Sequence, residues 1–470
     1  MFFDFHEFEG AMALSAIDGD WSYARLFTSS EEIAAAVRPR SLVFLFVRNV
    51  LSAIAGYVGF LNHGIVPVMM DASIAPDLRM NLMELYRPSY LWLPEELAGD
   101  FAAFAPILHK GSYVLLDTRE QTPYPLHEDL ALLMTTSGST GSPKLVRQSY
   151  DNLKANIESI VQYLDLHEDE RAVTNLPLHY VYGLSVLNTH LAVGASVVVT
   201  EKTLFDRSFW QLMREKEVTT FSGVPYTYAM LKRLRFFRME LPALRTLTQA
   251  GGKLDPELHR EFAEFAHTHG KRFVVMYGAA EATARMGYLP SADAIRKTGA
   301  MGIAIPGGRF ELVDEAGEEI RASDMVGELV YYGANVTLGY AMSGADLARG
   351  DERGGRYETG DLARRDADGY YTVVGRKRRF LKLFGKRTNL QEVEHILRQH
   401  FGEIEVACAG VDDHLYVFVT QEHLASEIVP FLSAKLGLHH SAFAAKYIAS
   451  IPKNASGKTV YRELEQYYDV

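Results

Sequence analysis

One polar loop in the first third of the chain has a composition suited to binding phosphate. It runs from Thr135 to Lys144 and reads Thr-Thr-Ser-Gly-Ser-Thr-Gly-Ser-Pro-Lys. Glycine lets backbone N–H groups approach an anion closely, while hydroxyl groups and a lysine ammonium add donors and positive charge. The familiar Gly-x-x-x-x-Gly-Lys-Ser/Thr loop does not fit, because Pro143 stands at its second glycine. The residues alone leave two interpretations open, a nucleotide-phosphate loop and a flexible surface turn.

The segments on both sides of this loop have the patterns of ordered elements. Leu130 to Met134 is a continuous apolar run, which predicts a buried strand. From Ser149 to Leu164 the apolar residues recur at helical spacing, which predicts a helix. We therefore expect the loop to connect a strand to a helix.

The loop resembles the phosphate loop of the adenylate-forming superfamily, which contains acyl-CoA synthetases, adenylation domains and luciferases. In that pattern Thr-Ser-Gly-Ser/Thr-Thr-Gly-x-Pro-Lys is followed by glycine, whereas this chain has Leu145. The resemblance implies contacts to the phosphates of ATP from Thr136, Ser137, Gly138, Ser139, Thr140, Gly141 and Lys144.

Further stretches match the superfamily in its expected order, from about Leu42 to Lys458. Gln249-Ala250-Gly251-Gly252-Lys253-Leu254 resembles the turn whose backbone lies beside the adenine ring. The resemblance implies that Gly251 and Gly252 contact the nucleotide.

The segment Tyr277-Gly278-Ala279-Ala280-Glu281 resembles the superfamily pattern Tyr-Gly-x-Thr-Glu. This implies that Tyr277 stacks on adenine next to Gly278, and that Glu281 helps to hold Mg²⁺, a cation that prefers carboxylate oxygen. Ala280 lacks the expected hydroxyl group, and the sequence leaves open whether Thr283 replaces it.

Two motifs later in the chain relate to the ribose. Tyr357-Glu358-Thr359-Gly360-Asp361 resembles Tyr-x-Thr-Gly-Asp, which implies that Asp361 accepts hydrogen bonds from both ribose hydroxyl groups. An ionised carboxylate can accept two donors at once. Gly375-Arg376 resembles the next motif, whose arginine reaches the ribose or the phosphates, with a salt-bridged surface arginine as the alternative.

Two matches near the C-terminus imply roles in the two half-reactions. Pro452-Lys453-Asn454-Ala455-Ser456-Gly457-Lys458 resembles the motif whose last lysine enters the active site when the small domain closes, so Lys458 is the expected catalytic lysine. Gly385 matches the glycine that lines the thiol tunnel in these enzymes, and an ordinary turn glycine is the alternative.

The segment from Leu176 to Gly183 occupies the position of the motif that forms the acid pocket. It contains no aspartate to pair with an α-ammonium group, so we expect acids without an α-amino group. Tyr180 falls where many relatives have histidine and is the expected substrate contact. His179 stands one residue early, and packing in the core is an equal alternative for it.

Together the matches imply that ATP–Mg²⁺ activates a small carboxylic acid to an acyl-adenylate, which then passes to the thiol of CoA to give a thioester and AMP. The alternative acceptor is the phosphopantetheine of a separate acyl carrier protein. A third hypothesis is a nucleotide-binding relative without catalysis, because Ala280 and Leu145 depart from the pattern. The joint presence of Glu281, Asp361 and Lys458 argues against it.

Composition limits the partners and the compartment. The chain has 470 residues, of which 48% are hydrophobic and 23% charged, with a formal charge of −11, so we expect neither nucleic acid nor an acidic membrane as a partner. Met1 to Gly10 lacks the basic start and apolar middle of a secretory signal, and the apolar region from Leu42 to Met70 is interrupted. The single cysteine, Cys408, suits a reducing cytoplasm.

Alternating strand and helix patterns predict an α/β protein. Residues 1–376 are expected to form a large N-terminal domain with mixed sheets and a small antiparallel β subdomain from Gly307 to Val374. Within it, Leu42–Val47 and Ile65–Met70 flank a helix, which predicts parallel pairing. Residues 377–470 are expected to form a small α+β domain with helices from Leu390 and over 425–436 and a last strand over 447–451; the resemblance implies that this domain is mobile.

Overall fold

The computed structural model describes residues 1–17, 19–121, 124–135, 144–314, 316–376, 380–402, 404–452, 459 and 461–468. These residues divide into two compact units, the first ending at Val374 and the second beginning at Gly375. Each unit has an apolar core of its own.

The first unit contains most of the regular elements. Its strands are β1 (Met12–Ala16), β2 (Gly19–Ser22), β3 (Leu42–Val47), β4 (Val66–Asp71), β5 (Tyr90–Pro94), β6 (Ala105–Lys110), β7 (Tyr113–Asp117), β8 (Leu130–Thr135), β9 (Leu145–Ser149), β10 (Arg171–Val173), β11 (Ser196–Val199), β12 (Thr220–Gly223), β13 (Thr246–Gln249), β14 (Arg272–Tyr277), β15 (Gly287–Leu289), β16 (Ile303–Ala304), β17 (Arg309–Val313), β18 (Val326–Tyr332), β19 (Gly339–Ala341), β20 (Arg356–Arg365) and β21 (Tyr371–Arg376), the last of which crosses the boundary between the units. Its helices are α1 (Tyr23–Ala35), α2 (Leu51–Asn62), α3 (Pro76–Tyr86), α4 (Tyr150–Leu164), α5 (Val181–Ala192), α6 (Arg207–Glu215), α7 (Pro225–Arg233) and α8 (Pro256–Thr268).

The first large sheet has the strand order β19-β9-β8-β4-β3-β5-β7-β6. Strands β3 and β4 pair in parallel, which confirms the predicted crossover unit. Helix α2 connects them, and its residues from Ser52 to Leu61 are all buried. It shares one apolar cluster with Val43 of β3 and Val197 of β11, a strand of the other large sheet. A helix that is apolar on all sides is therefore packed between the two sheets.

The predicted connection from strand to helix around the polar loop is wrong. Strands β8 and β9 pair antiparallel, with Thr135 opposite Leu145, so the described residues that flank the loop belong to two strands. Strand β9 escapes detection because it is five residues long and contains Arg147 and Gln148, which are nevertheless buried. Leu145 has an exposed fraction of 1% and packs in the core, which accounts for an apolar residue where the superfamily has glycine. Helix α4 begins directly after β9.

The second large sheet has the order β16-β15-β14-β13-β12-β10-β11-β1-β2. Strands β12, β13 and β14 are parallel neighbours, so their carboxyl ends lie at one edge of the sheet. The segments that begin at Ala250 and Gly278 follow β13 and β14 at that edge. In sheets of this kind, ligands bind beyond the carboxyl ends of the strands.

A smaller sheet has the order β17-β18-β20-β21, and β18 pairs antiparallel with both β17 and β20. This confirms the predicted antiparallel β subdomain. Its longest strand, β20, carries Asp361.

The second unit is a small α+β structure, as predicted. Its elements are β22 (Phe380–Leu383), β23 (Lys386–Asn389), α9 (Leu390–Phe401), β24 (Val406–Val411), β25 (His414–Val419), α10 (Ala425–Leu436) and β26 (Phe443–Tyr447). The predicted last strand at Tyr447–Ile451 is wrong, because the strand that pairs with β25 ends at Tyr447. Ile448 and Ile451 are buried in an apolar cluster without belonging to a strand, so their burial produced the misleading pattern.

In the part of the chain that the structure describes, every helix is too short or too polar to cross a bilayer.

Candidate active site

The turn after β13 brings Gly251 against Tyr180. Gly251 has φ = +82°, a conformation that favours glycine, and a Cβ atom there would lie 2.6 Å from the Tyr180 hydroxyl oxygen. The carbonyl of Gly252 accepts a hydrogen bond from the Gln249 side chain at 2.9 Å, which fixes the turn. Burial raises the pKa of Tyr180 to about 12, so its hydroxyl stays protonated at neutral pH. The predicted adenine turn and the predicted acid-pocket residue are thus neighbours.

The end of β14 brings Tyr277 together with Asp361. The Tyr277 hydroxyl donates a hydrogen bond to the Asp361 carboxylate, and Asp361 has an exposed fraction of only 5%. Burial, followed by the Asp361 charge, raises the pKa of Tyr277 well above its usual value, so the phenol remains a donor. Gly278 must be glycine, because a Cβ atom would lie 1.7 Å from the Ala284 carbonyl oxygen. These three predicted nucleotide contacts therefore share one place.

Glu281 lies in a short 3-10 helix over Ala280–Ala282, directly after the Tyr277 segment. Its backbone carbonyl accepts hydrogen bonds from the Thr337 N–H at 3.0 Å, the Thr337 hydroxyl at 3.0 Å and the Arg353 guanidinium at 3.1 Å. Three donors on one carbonyl hold the residue in place. Its carboxylate Oε1 accepts a hydrogen bond from the Tyr340 hydroxyl at 2.5 Å.

Tyr340 and Arg353 lie in none of the motifs recognised in the sequence. Burial, followed by the Glu281 charge, raises the pKa of Tyr340, which keeps its hydroxyl group a donor. The Lys144 ammonium lies 3.2 Å from the centre of the Tyr340 ring, and the Arg353 guanidinium lies 4.7 Å from it. Arg353 is also 5.1 Å from the Tyr357 ring, in the motif that contains Asp361. We call the group of Lys144, Glu281, Tyr340 and Arg353 the acidic centre, after the carboxylate of Glu281 at which it meets. Arg353 therefore links the acidic centre to the ribose motif.

Thr283, which the sequence left open as a replacement for the hydroxyl group that Ala280 lacks, has its own hydroxyl group hydrogen-bonded within the first unit. It is buried with φ = +53°, and its hydroxyl donates to the Asn335 carbonyl at 2.7 Å. This hydrogen bond ties the turn to the loop before β19 and keeps the hydroxyl within the core.

His179 is half-buried and lies 3.6 Å from Asp71, measured between Nε2 and Oδ2. Burial lowers the pKa of His179, and the Asp71 charge opposes that shift. The His179 imidazole is therefore paired with an acidic side chain at the end of β4. Of His179 and Tyr180, it is Tyr180 that lies against the Gly251 turn.

The sequence matches the family described as AMP-binding enzyme over residues 5–341. The chain belongs to this family. Indoleacetate–CoA ligase of Aromatoleum aromaticum is 25% identical over 490 residues, which cover 97% of this chain and 95% of that protein. Sulfoacetate–CoA ligase of Cupriavidus necator is 30% identical over 394 residues, which cover 82% of this chain and 75% of that protein. The predicted adenylate-forming superfamily and ligase class are confirmed.

Solved structures share the fold. A double mutant of o-succinylbenzoate CoA synthetase from Bacillus subtilis has a TM-score of 0.78 at 22% identity, covering 98% of this chain and 96% of that chain. A structure of the same enzyme in complex with ATP and a magnesium ion has a TM-score of 0.67 at 22% identity, covering 97% of this chain and 96% of that chain.

Several residues with predicted roles in this AMP-binding enzyme are not placed by the structure. Thr136, Ser137, Gly138, Ser139, Thr140, Gly141 and Lys458 lie outside the described residues. Arg376 is the last residue of β21, and its side chain is likewise outside the description. Gly385 follows Phe384 in the turn between β22 and β23, where both have positive φ, +49° for Phe384 and +84° for Gly385. The positive φ at this turn position favours glycine independently of any role in the thiol step.

The acidic centre makes Tyr340→Phe an informative variant. We expect the Mg²⁺ concentration that gives half-maximal ATP–pyrophosphate exchange to rise roughly tenfold or more, because a hydrogen bond to a charged group contributes about 1.5–3 kcal/mol. Exchange measured across a Mg²⁺ titration checks this. Tyr23→Phe is the matched control, since the buried Tyr23 hydroxyl donates to the Ala195 carbonyl at 2.6 Å. Equal Mg²⁺ dependence in the two variants would remove Tyr340 from the site.

Proposed function

We propose that this AMP-binding enzyme catalyses ATP-dependent formation of an acyl-CoA thioester from a small carboxylic acid without an α-amino group. A carboxylate oxygen attacks the α-phosphorus of ATP, and the bond to pyrophosphate breaks. The CoA sulfur then attacks the acyl carbon, and AMP leaves. The observation that carries the proposal is the Arg353 guanidinium, which lies over the rings of both Tyr340 and Tyr357 and so joins the acidic centre to the ribose motif.

The described residues fit ATP with Mg²⁺. Magnesium in such sites is bound by one or two carboxylates together with substrate phosphates, and when bound it neutralises charge on those phosphates. Glu281 supplies a carboxylate whose backbone is fixed and whose orientation is set by the Tyr340 hydroxyl. Asp361 supplies a second, buried carboxylate, which we assign to the ribose hydroxyl groups. In this assignment the Tyr277 hydroxyl holds the Asp361 carboxylate in position, while its ring stacks on adenine.

The remaining roles follow the family motifs. We assign Thr136, Ser137, Gly138, Ser139, Thr140, Gly141 and Lys144 to the ATP phosphates, Gly251, Gly252 and Gly278 to the adenine side, and Arg376 to the ribose or phosphates. Lys458 is assigned to the adenylation step and Gly385 to the thiol step. We take residues 377–470 as the mobile domain that presents these two residues in turn.

CoA is the acceptor favoured by the two relatives described above, which are both CoA ligases. Phosphopantetheine on a separate carrier protein presents the same thiol and is the second candidate acceptor. A cytoplasmic location agrees with the single cysteine, Cys408, which is buried and cannot form an internal disulfide.

A panel of carboxylic acids assayed by ATP–pyrophosphate exchange tests the proposal, followed by mass spectrometry of the products with CoA or with a phosphopantetheinylated carrier protein. We expect exchange with acids that lack an α-amino group and a thioester only when a thiol is present. A buried α-ammonium without an acidic partner costs several kcal/mol. Exchange with α-amino acids alone would contradict the acid class. Nucleotide binding without exchange for any acid would support the non-catalytic relative instead.

Gly385→Asn tests the thiol step. Asparagine tolerates positive φ, so the turn should survive while a side chain enters the space above it, where a Cβ atom has no neighbour within 4 Å. We expect pyrophosphate exchange to stay near the parent rate and thioester formation to fall by about tenfold or more, as a narrowed passage displaces the thiol. Stopped assays of both half-reactions check this.

Gly437→Asn is the matched control for Gly385→Asn. Gly437 ends α10 with φ = +60° in the same unit, and a Cβ there would have only the Lys386 ammonium nearby, at 3.6 Å. If both variants lose thioester formation equally, Gly385 is a turn glycine and nothing more.

A further inference from the structure

Arg285 is one of the most deeply buried large side chains of the described residues, with an exposed fraction of 2%. Its guanidinium donates to the Tyr163 hydroxyl at 3.2 Å, the Met276 sulfur at 2.6 Å and the Ser185 hydroxyl at 2.9 Å. Its Nε atom is buried without a hydrogen-bond partner. All of these partners are neutral.

Other buried arginines of the first unit are paired with acids. Arg147, with an exposed fraction of 0%, forms an ion pair with Glu352, and Arg79, at 7%, pairs with Asp100 at 2.8 Å. Arg285 has no carboxylate oxygen within 4.0 Å among the residues that the structure describes. Because a guanidinium stays charged in proteins, burying one without a counter-charge is costly. Among the described residues, the Arg285 guanidinium is therefore buried without a counter-charge.

The walls around Arg285 belong to the region assigned to the acid substrate. The guanidinium lies 4.4 Å from the centre of the Tyr182 ring, and Tyr182 packs edge-on against Tyr180 at 6.2 Å. Tyr180 in turn lies against the Gly251 turn. On the other side, Tyr163 stacks on Tyr288 at 4.3 Å. Tyr163, Tyr180 and Tyr288 are only partly buried, so part of each of these rings is exposed.

The chain order adds to this placement. Arg285 follows Glu281 by four residues, and its partner Met276 immediately precedes Tyr277. One segment thus presents the carboxylate of the acidic centre and, further on, a cation that the adenylation chemistry does not use.

We propose that Arg285 determines the acid specificity and that the substrate is a dicarboxylic acid whose second carboxylate pairs with this guanidinium. The proposal rests on the function proposed above. One carboxylate reacts with ATP and the other stays ionised, accepting hydrogen bonds from Nε and a terminal nitrogen of Arg285. The aromatic walls pack against the carbon skeleton between the two carboxylates.

The test compares aliphatic and aromatic dicarboxylic acids with their monomethyl esters in the exchange assay. Each ester keeps the reacting carboxylate and nearly the same shape but loses the second charge. We expect the parent enzyme to prefer the diacid in kcat/KM by about 100-fold or more, since a site built around a polar partner strongly rejects an analogue that lacks it. A parent enzyme that uses ester and diacid equally would overturn the proposal.

Arg285→Met keeps the volume and removes the charge. We expect the preference to disappear, mainly through a higher KM for the diacid, while the KM for ATP stays within about twofold of the parent value. Arg285→Lys keeps a positive charge but lacks the planar guanidinium that binds a carboxylate through two hydrogen bonds, so it should retain part of the preference for the diacid. Arg285→Lys also tests the proposal if Arg285→Met fails to fold.

Arg79→Met is the control variant. Arg79 is a buried arginine on α3, and its replacement should leave the preference for the diacid as it is in the parent enzyme. If Arg285→Met loses activity equally towards the diacid and its ester, the specificity role is overturned.

Direct binding separates this inference from the proposed reaction. The shift in melting temperature caused by a diacid is measured for the parent and for Arg285→Met. If no acid supports exchange but the diacid stabilises only the parent, the proposed reaction fails and the anion site stands. If exchange occurs with monocarboxylic acids and diacids give no Arg285-dependent stabilisation, the reaction stands and the inference fails.

Discussion

Asp361→Ala is expected to raise the KM for ATP by roughly 10²–10³-fold while the fold is retained. The Asp361 carboxylate is buried, so the nucleotide would lose charge-assisted hydrogen bonds to two ribose hydroxyl groups, each contributing about 1.5–3 kcal/mol. Initial rates of pyrophosphate exchange across an ATP titration, with circular dichroism of both proteins, check this.

Two companion variants isolate the cause. Tyr277→Phe removes only the hydroxyl group that donates to Asp361, so it should cost much less than the loss of the carboxylate. Glu358→Gln lies in the same motif, but its side chain pairs with Arg356 at the surface and should leave ATP use unchanged. An Asp361→Ala protein with parent-like ATP kinetics would show that the nucleotide binds elsewhere.

Lys458→Ala is expected to slow adenylation by roughly 10²–10³-fold, because the loss of a preorganised donor near the developing charge costs about that much. The assignment comes from the family motif, in which this lysine serves the first half-reaction. Conversion of a supplied acyl-adenylate to the thioester should therefore continue. Exchange rates and thioester formation are measured separately on one preparation.

Lys453→Ala is the matched control, since Lys453 is the second residue of the same motif and carries the same charge. It should retain exchange within a few-fold of the parent rate, because the family motif assigns the adenylation role to Lys458. Equal losses in the two lysine variants would mean that the motif has been aligned wrongly. Loss of both half-reactions in Lys458→Ala would contradict a role confined to adenylation.

Much of the fold could be predicted from the sequence, because the patterns that indicate strands and helices are local. Apolar runs bounded by turns located β3 and β4, and helical periodicity located α10 over its observed range, Ala425–Leu436. Strand β9 could not be predicted, since the partners of its buried Arg147, the Glu352 carboxylate and the carbonyls of Leu338 and Tyr340, are far away in sequence. The displaced strand near Tyr447 shows the same limit, because apolar residues outside strands also become buried.

The candidate site likewise contains residues that could be predicted from the sequence and residues that could not. Tyr277, Glu281 and Asp361 were found because each lies in a motif with fixed spacing. Tyr340 and Arg285 were not predicted, because their hydrogen bonds to Glu281 and Ser185 form only when the chain folds. Tyr340 reaches Glu281 across 59 residues of sequence, and the Ser185 partner of Arg285 lies 100 residues away. The available sequence signal for Arg285 was that it is the single charged residue in the segment from Ala282 to Leu289.

The first step of the proposed reaction is attack of the carboxylate on the α-phosphorus of ATP. It is tested most directly with an acid that carries ¹⁸O in both carboxylate oxygens, incubated with ATP, Mg²⁺ and CoA. We expect AMP with one ¹⁸O atom, unlabelled pyrophosphate and a thioester that keeps the other label. Label in pyrophosphate or inorganic phosphate, or ADP as the nucleotide product, would contradict it.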